Sequence, residues 1–139
     1  MKYLVDYTVF ARVLTGWEGY MDAFKWVNMN VGDIATLDTI YIDTIEYSYS
    51  ILHEEITDFK EVFTRLSNVL RSLIDSTVSE IIGYSGYVEE AMQVSGELDI
   101  NPRIALYLVA ARNRGLKHVT MDESISKLED VLYIEVSDI

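Results

Sequence analysis

Hydrophobic and polar positions along this chain follow two periods, one helical and one extended. From Asp58 to Leu73, apolar residues return every three or four positions (Phe59, Val62, Phe63, Leu66, Val69, Leu70, Leu73), which predicts an amphipathic helix capped by Asp58. Tyr3-Leu4-Val5 is a short apolar run ending on Asp6 and predicts a first strand. Thr8 is read as the cap of the next helix, with Val9, Phe10, Val13 and Leu14 facing inward until Gly16 breaks it. A second helix is expected from about Trp17 to Met29, with Met21, Phe24, Trp26 and Val27 as its apolar side, followed by a turn at Asn30 to Asp33. Leu37 to Ile42 alternates apolar and polar residues and reads as strand two. A helix capped by Asp43 or Thr44 should follow, with Ile45, Tyr49, Leu52 and Ile56 inward and Glu46 in its first turn.

Ser76 to Gly83 fits strand or helix, Gly83 to Gly86 a break, Tyr87 to Val94 a helix, and Gly96 to Asn101 a connection. Asn101-Pro102 then opens a helix with an Asn cap and Pro at its first position. That helix runs through Ile104 to Ala111 and ends on Arg112-Asn113-Arg114-Gly115, with cations in the last turn and Gly where a left-handed cap belongs. A strand at Lys117 to Thr120 leads to Asp122, a short helix around Ser124 to Leu128 comes next, and Val131 to Val136 forms a last strand. Helices and strands that alternate over such short connections imply a parallel sheet covered by helices. Ligands of such sheets sit beyond the carboxyl ends of the strands, where Asp122 lies.

Composition narrows the chemistry. The 139 residues suffice for one domain with a real core, and no repeat or linker divides them. The absence of Cys excludes disulfides, thiolate metal sites and Cys nucleophiles. His53 and His118 are too few for a His-rich zinc site and read as structural histidines. A carboxylate after five residues argues against a signal peptide, and no apolar run reaches the length of a membrane span, so a cytoplasmic protein is expected. The net charge of −12 argues against indiscriminate nucleic-acid binding, yet the segment from Arg103 to Lys117 carries four cations and no acid. That segment is either a local basic strip or helix-end cations on a solvated face. The Glu54-Glu55 pair reads as a solvated face.

Three acids hold comparable places: Asp6 at a strand end, Glu46 early in a helix, and Asp122 at a later strand end. With Tyr3-Leu4-Val5-Asp6, the Ile45 to Leu52 segment around Glu46, and Ala105-Leu106-Tyr107-Leu108 running on to Thr120-Met121-Asp122, the chain resembles the PIN-domain family. Within that family it is most similar to the VapC toxins of VapBC-type toxin–antitoxin pairs. The resemblance implies a three-layer α/β/α sandwich with a mostly parallel central sheet. It also implies an endoribonuclease dependent on Mg²⁺ or Mn²⁺, with Asp6, Glu46 and Asp122 as catalytic metal ligands, RNA as substrate, a small antitoxin as partner, and a homodimer. Hard divalent cations take carboxylate oxygens and activate water for attack on a phosphodiester, which is why such a site is built from acids.

Two departures accompany the resemblance. The family's acid directly before Ala105 is replaced by Ile104, beside the cationic Arg103, and Tyr7-Thr8 follow Asp6 where a small hydroxyl residue and Asn are usual. Arg103 is placed to set a guanidinium against the acids and displace a metal. A degenerate PIN-like domain that binds protein or RNA without cleavage is therefore the alternative, and an unrelated α/β regulatory domain a third reading. Each acid also has a plain structural role open to it, Asp6 and Asp122 as helix caps and Glu46 against a helix dipole. Thr120 is placed to orient a carboxylate or a water, and Tyr47 and Tyr49 either stack on bases or pack beneath a neighbour.

Overall fold

The computed structural model describes residues 1–54 and 56–137; the Glu54-Glu55 pair therefore lies partly outside the described residues. Five parallel strands form one sheet in the order β3-β2-β1-β4-β5, namely β1 (Tyr3–Val5), β2 (Ile34–Leu37), β3 (Glu80–Ile82), β4 (Lys117–Thr120) and β5 (Val131–Tyr133). The chain winds outward from β1 to β3, then returns to β4 on the other side of β1. The connections from β1 to β2 and from β2 to β3 carry α1 (Tyr7–Thr15), α2 (Tyr20–Met29), α3 (Ile40–Leu52) and α4 (Phe59–Thr77), which the usual right-handed crossover puts over one face. The return places α5 (Val88–Leu98) and α6 (Pro102–Arg114) over the other. Packing agrees: α1 lies against α2, α3 and α4, while α6 lies against α5, β1 and β4. This is the three-layer α/β/α arrangement. The strand order reverses between β1 and β4, where a crevice opens beyond the strand ends.

Several elements form where the pattern predicts them. Helix α4 runs over its amphipathic stretch and extends to Thr77, so that Ser76 to Gly83 resolves into a helix end and β3. Asn101 caps α6 by accepting from the N–H groups of Arg103 and Ile104, and Gly115 ends it at φ 68°. The buried face of α6 carries Ile104, Tyr107 and Leu108 with Ala105, Ala110 and Ala111, small residues that let the helix lie close to the sheet.

Other boundaries differ. Strand two is Ile34–Leu37; the alternating stretch Leu37 to Ile42 is a turn followed by the start of α3. The buried residues Ile40, Asp43, Thr44 and Ser48 explain this, because their spacing is that of one helix face while Ile42 points outward. Asp43 and Thr44 are thus interior helix residues rather than caps, and Glu46 sits in the second turn. Helix α1 is capped by Asp6, not Thr8. On α2, Ala23 and Val27 are buried whereas Met21 and Phe24 face outward. Helix α5 passes through Gly96 to Leu98 and closes on Asp99 in the left-handed conformation, which a short polar side chain tolerates. The short helix after Asp122 is a single 3₁₀ turn (Glu123–Ile125), and β5 ends at Tyr133.

Gly19 is required for two reasons. Its φ is +86°, and a Cβ there would meet Met121 Cε and Val136 Cγ2 at 2.9 Å, so the bare backbone lets the segment after β5 cross beside α2. Ser137 is tied to α2 by hydrogen bonds donated to Asp22. These bonds hold the Asp22 carboxyl below its ordinary pKa. Among the described residues, no helix is long and apolar enough to cross a membrane.

Candidate functional site

The crevice between β1 and β4 is an open cleft of about 890 Å³, lined among others by Tyr7, Tyr47, Tyr133, Arg12, Arg103 and Asp122. Asp6 lies directly beneath it, at the junction of β1 and α1, with no exposed surface. One carboxylate oxygen, Oδ1, accepts from the backbone N–H of Thr8 at 2.9 Å and from its hydroxyl. The other, Oδ2, pairs with His118 Nε2 at 2.8 Å, and His118 on β4 is equally buried. Thr8 completes the seal: its hydroxyl also accepts from the N–H of Met121 at 2.9 Å, joining α1 to the end of β4. Both oxygens of Asp6, which the resemblance implies as a metal ligand, thus have partners within the protein.

The second acid of the cluster is Asp43, which the sequence pattern presents as a helix cap. It is 4 % exposed on the inner face of α3. Its Oδ2 accepts from the Tyr107 hydroxyl at 2.7 Å and from the Thr39 hydroxyl at 2.8 Å, and its Oδ1 faces Arg103 Nε at 3.1 Å. Three residues further along α3, Glu46 lies on the same side, with its side chain 53 % exposed, and takes Arg103 Nη1 at 2.6 Å. A signal for Asp43 was present in the sequence, since helical spacing from Ile40 through Thr44 to Ser48 brings residue 43 inward.

Burial opposes the charge on Arg103, but the Glu46 hydrogen bond and the carboxylates of Asp43 and Glu46 outweigh it and hold the guanidinium above its ordinary pKa. Burial likewise pushes the Tyr7 phenol well above its usual range, with Asp6 and Asp122 adding to the effect. Tyr107 is pushed up by burial and then by Asp43. These phenols stay neutral hydrogen-bond donors at ordinary pH.

Asp122 lies two residues beyond β4 and caps the 3₁₀ turn, its Oδ1 accepting from the N–H of Ser124 at 2.9 Å and from its hydroxyl at 2.7 Å. Thr120 positions it through the backbone: the Asp122 N–H donates to the Thr120 hydroxyl at 3.0 Å. Of the three acids named from sequence, Glu46 and Asp122 line the cleft and Asp6 does not. Ile104 is 1 % exposed and belongs to the main core, so no acid enters at that position.

A divalent metal fits this donor set poorly. Both oxygens of Asp6 and both of Asp43 have protein partners, one of them a guanidinium. Among the described residues no group of three His, Asp or Glu side chains is arranged to hold a metal ion. Crowded acids need neutralising charge. Here that charge comes from Arg103, beside donors from Thr39 and Tyr107.

The wall of the cleft has a different character. Tyr7 packs edge-on against Tyr47 with ring centroids 5.4 Å apart. Tyr49 instead stacks on His53 and packs on Phe59 and Phe63, away from the cleft. Arg12 pairs with no acid among the described residues; it donates to the Met121 carbonyl at 3.3 Å and lies over the Trp17 ring at 5.0 Å. Of the segment from Arg103 to Lys117, only Arg103 lines the cleft, while Arg112 and Arg114 pair with Asp130 and Glu80. The basic strip is thus mostly neutralised.

No protein-family model and no curated protein matches the sequence. Solved structures do match the fold. PAE2754 from Pyrobaculum aerophilum superposes with a TM-score of 0.71 at 18 % identity, over 96 % of this chain and 90 % of that one. A toxin–antitoxin complex from Klebsiella pneumoniae superposes at 0.71 with 13 % identity, over 98 % and 100 %. VapC20 of Mycobacterium tuberculosis, described as a sarcin–ricin loop cleaving toxin, superposes at 0.68 with 14 % identity, over 94 % and 98 %. Across nearly its whole length, the chain has the fold of these proteins, the PIN-type α/β/α sandwich.

Proposed function

We propose that this chain is an RNA-binding protein of toxin–antitoxin type, in which the acid cluster serves folding and shapes the cleft rather than carrying metal-assisted hydrolysis. One observation carries the reading: the buried acids Asp6 and Asp43 are sealed and paired, while Tyr47, Tyr133 and the acid-free Arg12 line the open cleft. Aromatic faces stack on unpaired bases, and a cation beside them takes a phosphate. The acidic body opposes non-specific binding and favours a local, salt-sensitive contact.

The test is fluorescence anisotropy with labelled single-stranded and hairpin RNAs in EDTA, alongside a cleavage assay in Mn²⁺. Binding in EDTA without cleavage is the expected result. Absence of binding, or Mn²⁺-dependent cleavage lost in Asp6→Asn, overturns it. Cleavage of that kind would establish the second reading, a Mg²⁺- or Mn²⁺-dependent endoribonuclease. That reading is favoured by Glu46 and Asp122 lining one cleft and by the likeness to a cleaving toxin. A small antitoxin partner is proposed from the likeness to a toxin–antitoxin complex. A homodimer is proposed alongside it, since Tyr20, Met21 and Phe24 leave apolar surface exposed on α2. Light scattering of the purified chain at micromolar concentration decides the dimer.

A further inference from the structure

The resemblance implies a divalent cation at the acids, and the donor set does not fit one. We propose that Arg103 stands in for that cation: its guanidinium bridges Asp43 and Glu46, ties α3 to α6, and lets the cleft form without divalent metal.

The position of Arg103 is informative. It lies in the first turn of α6, where the positive end of the helix dipole disfavours a cation. Something must offset that cost, and two carboxylates on the same side of α3 do so. The fork of the guanidinium matches them: Nε takes Asp43 Oδ1 at 3.1 Å and Nη1 takes Glu46 Oε2 at 2.6 Å. Asp43 is almost wholly buried, so it cannot be left without a positive partner at small cost. Its remaining oxygen is filled by the hydroxyls of Tyr107 and Thr39. The next residue, Ile104, turns into the core, so among the described residues the guanidinium is the charged group that α6 offers to α3 at this point.

This inference concerns how the acids are neutralised, and it stands apart from whether the cleft takes RNA. RNA binding in EDTA tests the functional reading; the response of the unliganded chain to Mn²⁺ tests this one.

The experiment is a thermal melt and a calorimetric titration with MnCl₂ on the wild type, Arg103→Ala, and Arg103→Ala combined with Glu46→Gln. The wild type is expected to give no saturable Mn²⁺ binding and the same Tm in Mn²⁺ as in EDTA. Arg103→Ala in EDTA should melt roughly 5–10 °C lower, because the buried Asp43 loses its positive partner, with the loss reduced by the partial exposure of Arg103 and Glu46. Millimolar Mn²⁺ should restore part of that loss, and the restoration should vanish in the double variant. Should Arg103→Ala not fold, Arg103→Gln, which keeps length and a donor without charge, takes its place. Mn²⁺ binding by the wild type that disappears in Asp43→Asn overturns the proposal. So does a folded Arg103 variant whose Tm is unchanged or fails to respond to Mn²⁺.

Discussion

Tyr107 on α6 donates its hydroxyl to Asp43 Oδ2 on α3 at 2.7 Å, across 64 residues of sequence, and neither side chain is open to solvent. The ring of the same tyrosine lies nearly parallel to that of His118, with centroids 6.4 Å apart, and His118 in turn pairs with Asp6. One aromatic side chain thus stands between the two buried acids. It bonds to one and packs on the partner of the other.

Removing that hydroxyl leaves the fold but weakens it. Tyr107→Phe should lower unfolding free energy in urea by about 1.5–3 kcal/mol, the range for a hydrogen bond to a charged group. Asp43→Ala should cost more, about 2–4 kcal/mol, because it also removes the Thr39 hydrogen bond and the Arg103 contact, the latter a modest contribution since Arg103 is partly exposed. Equal losses in the two variants would show that Arg103 contributes nothing through Asp43.

Placing an acid at the start of α6, where the resemblance implies one, should fail. Ile104 packs in the main core at 1 % exposure, so Ile104→Asp removes apolar contacts and buries a carboxyl with no partner. A loss of about 3–5 kcal/mol is expected. Unchanged urea stability together with new Mn²⁺ binding would contradict this.

Alkaline pH should unfold the chain through its tyrosines. Burial raises the pKa of Tyr7, Tyr107 and Tyr47, with Asp6, Asp43 and Asp122 respectively among the charges that add to it. A folded pKa above the unfolded value gives stability that is complete below about pH 10 and is lost as pH rises through the folded value. Tyrosinate absorbance in the native protein should therefore lag behind that of the urea-unfolded chain, and rise sharply with loss of helical circular dichroism. A smooth titration near pH 10 with no unfolding would refute it.

At low pH the sign reverses for Asp130. Burial raises its carboxyl pKa, but the hydrogen bonds from Arg112 outweigh that and leave it lowered. Its stabilisation is present above the ordinary carboxylate range and fades as pH falls below about 4. The pair is partly exposed, so the effect is small. Asp130→Asn should remove this contribution and make acid unfolding less steep in pH.

Two substitutions in the cleft separate stacking from phosphate contact. Tyr47→Ala should weaken RNA binding by about 1–3 kcal/mol with the salt dependence unchanged. Arg12→Ala should weaken it while reducing the salt slope by about one counterion. Tyr47→Ala also removes packing against Tyr7 and should lower Tm, so binding is compared at a temperature where both variants are folded, and anisotropy at two salt concentrations distinguishes them.

Local pattern determined a large part of this molecule. Strand β1, helices α4 and α6 and the Asn101 and Gly115 caps follow from short-range periodicity and capping chemistry, which need no partner elsewhere in the chain, and the alternation of helices and strands over short connections implied the parallel sheet. The placement of Asp6 and Asp122 just beyond strand ends was legible for the same reason. Tertiary structure alone decided the start of α3, because Leu37 to Ile42 satisfies an alternating pattern by coincidence and only the burial of Ile40 and Asp43 on one face selects the helix. It also decided what each acid meets. His118 reaches Asp6 from 112 positions away, and Tyr107 and Arg103 reach Asp43 from another layer of the sandwich. Residue type announces that a carboxylate needs positive charge or donors; only the folded chain specifies whether an arginine or a metal supplies them.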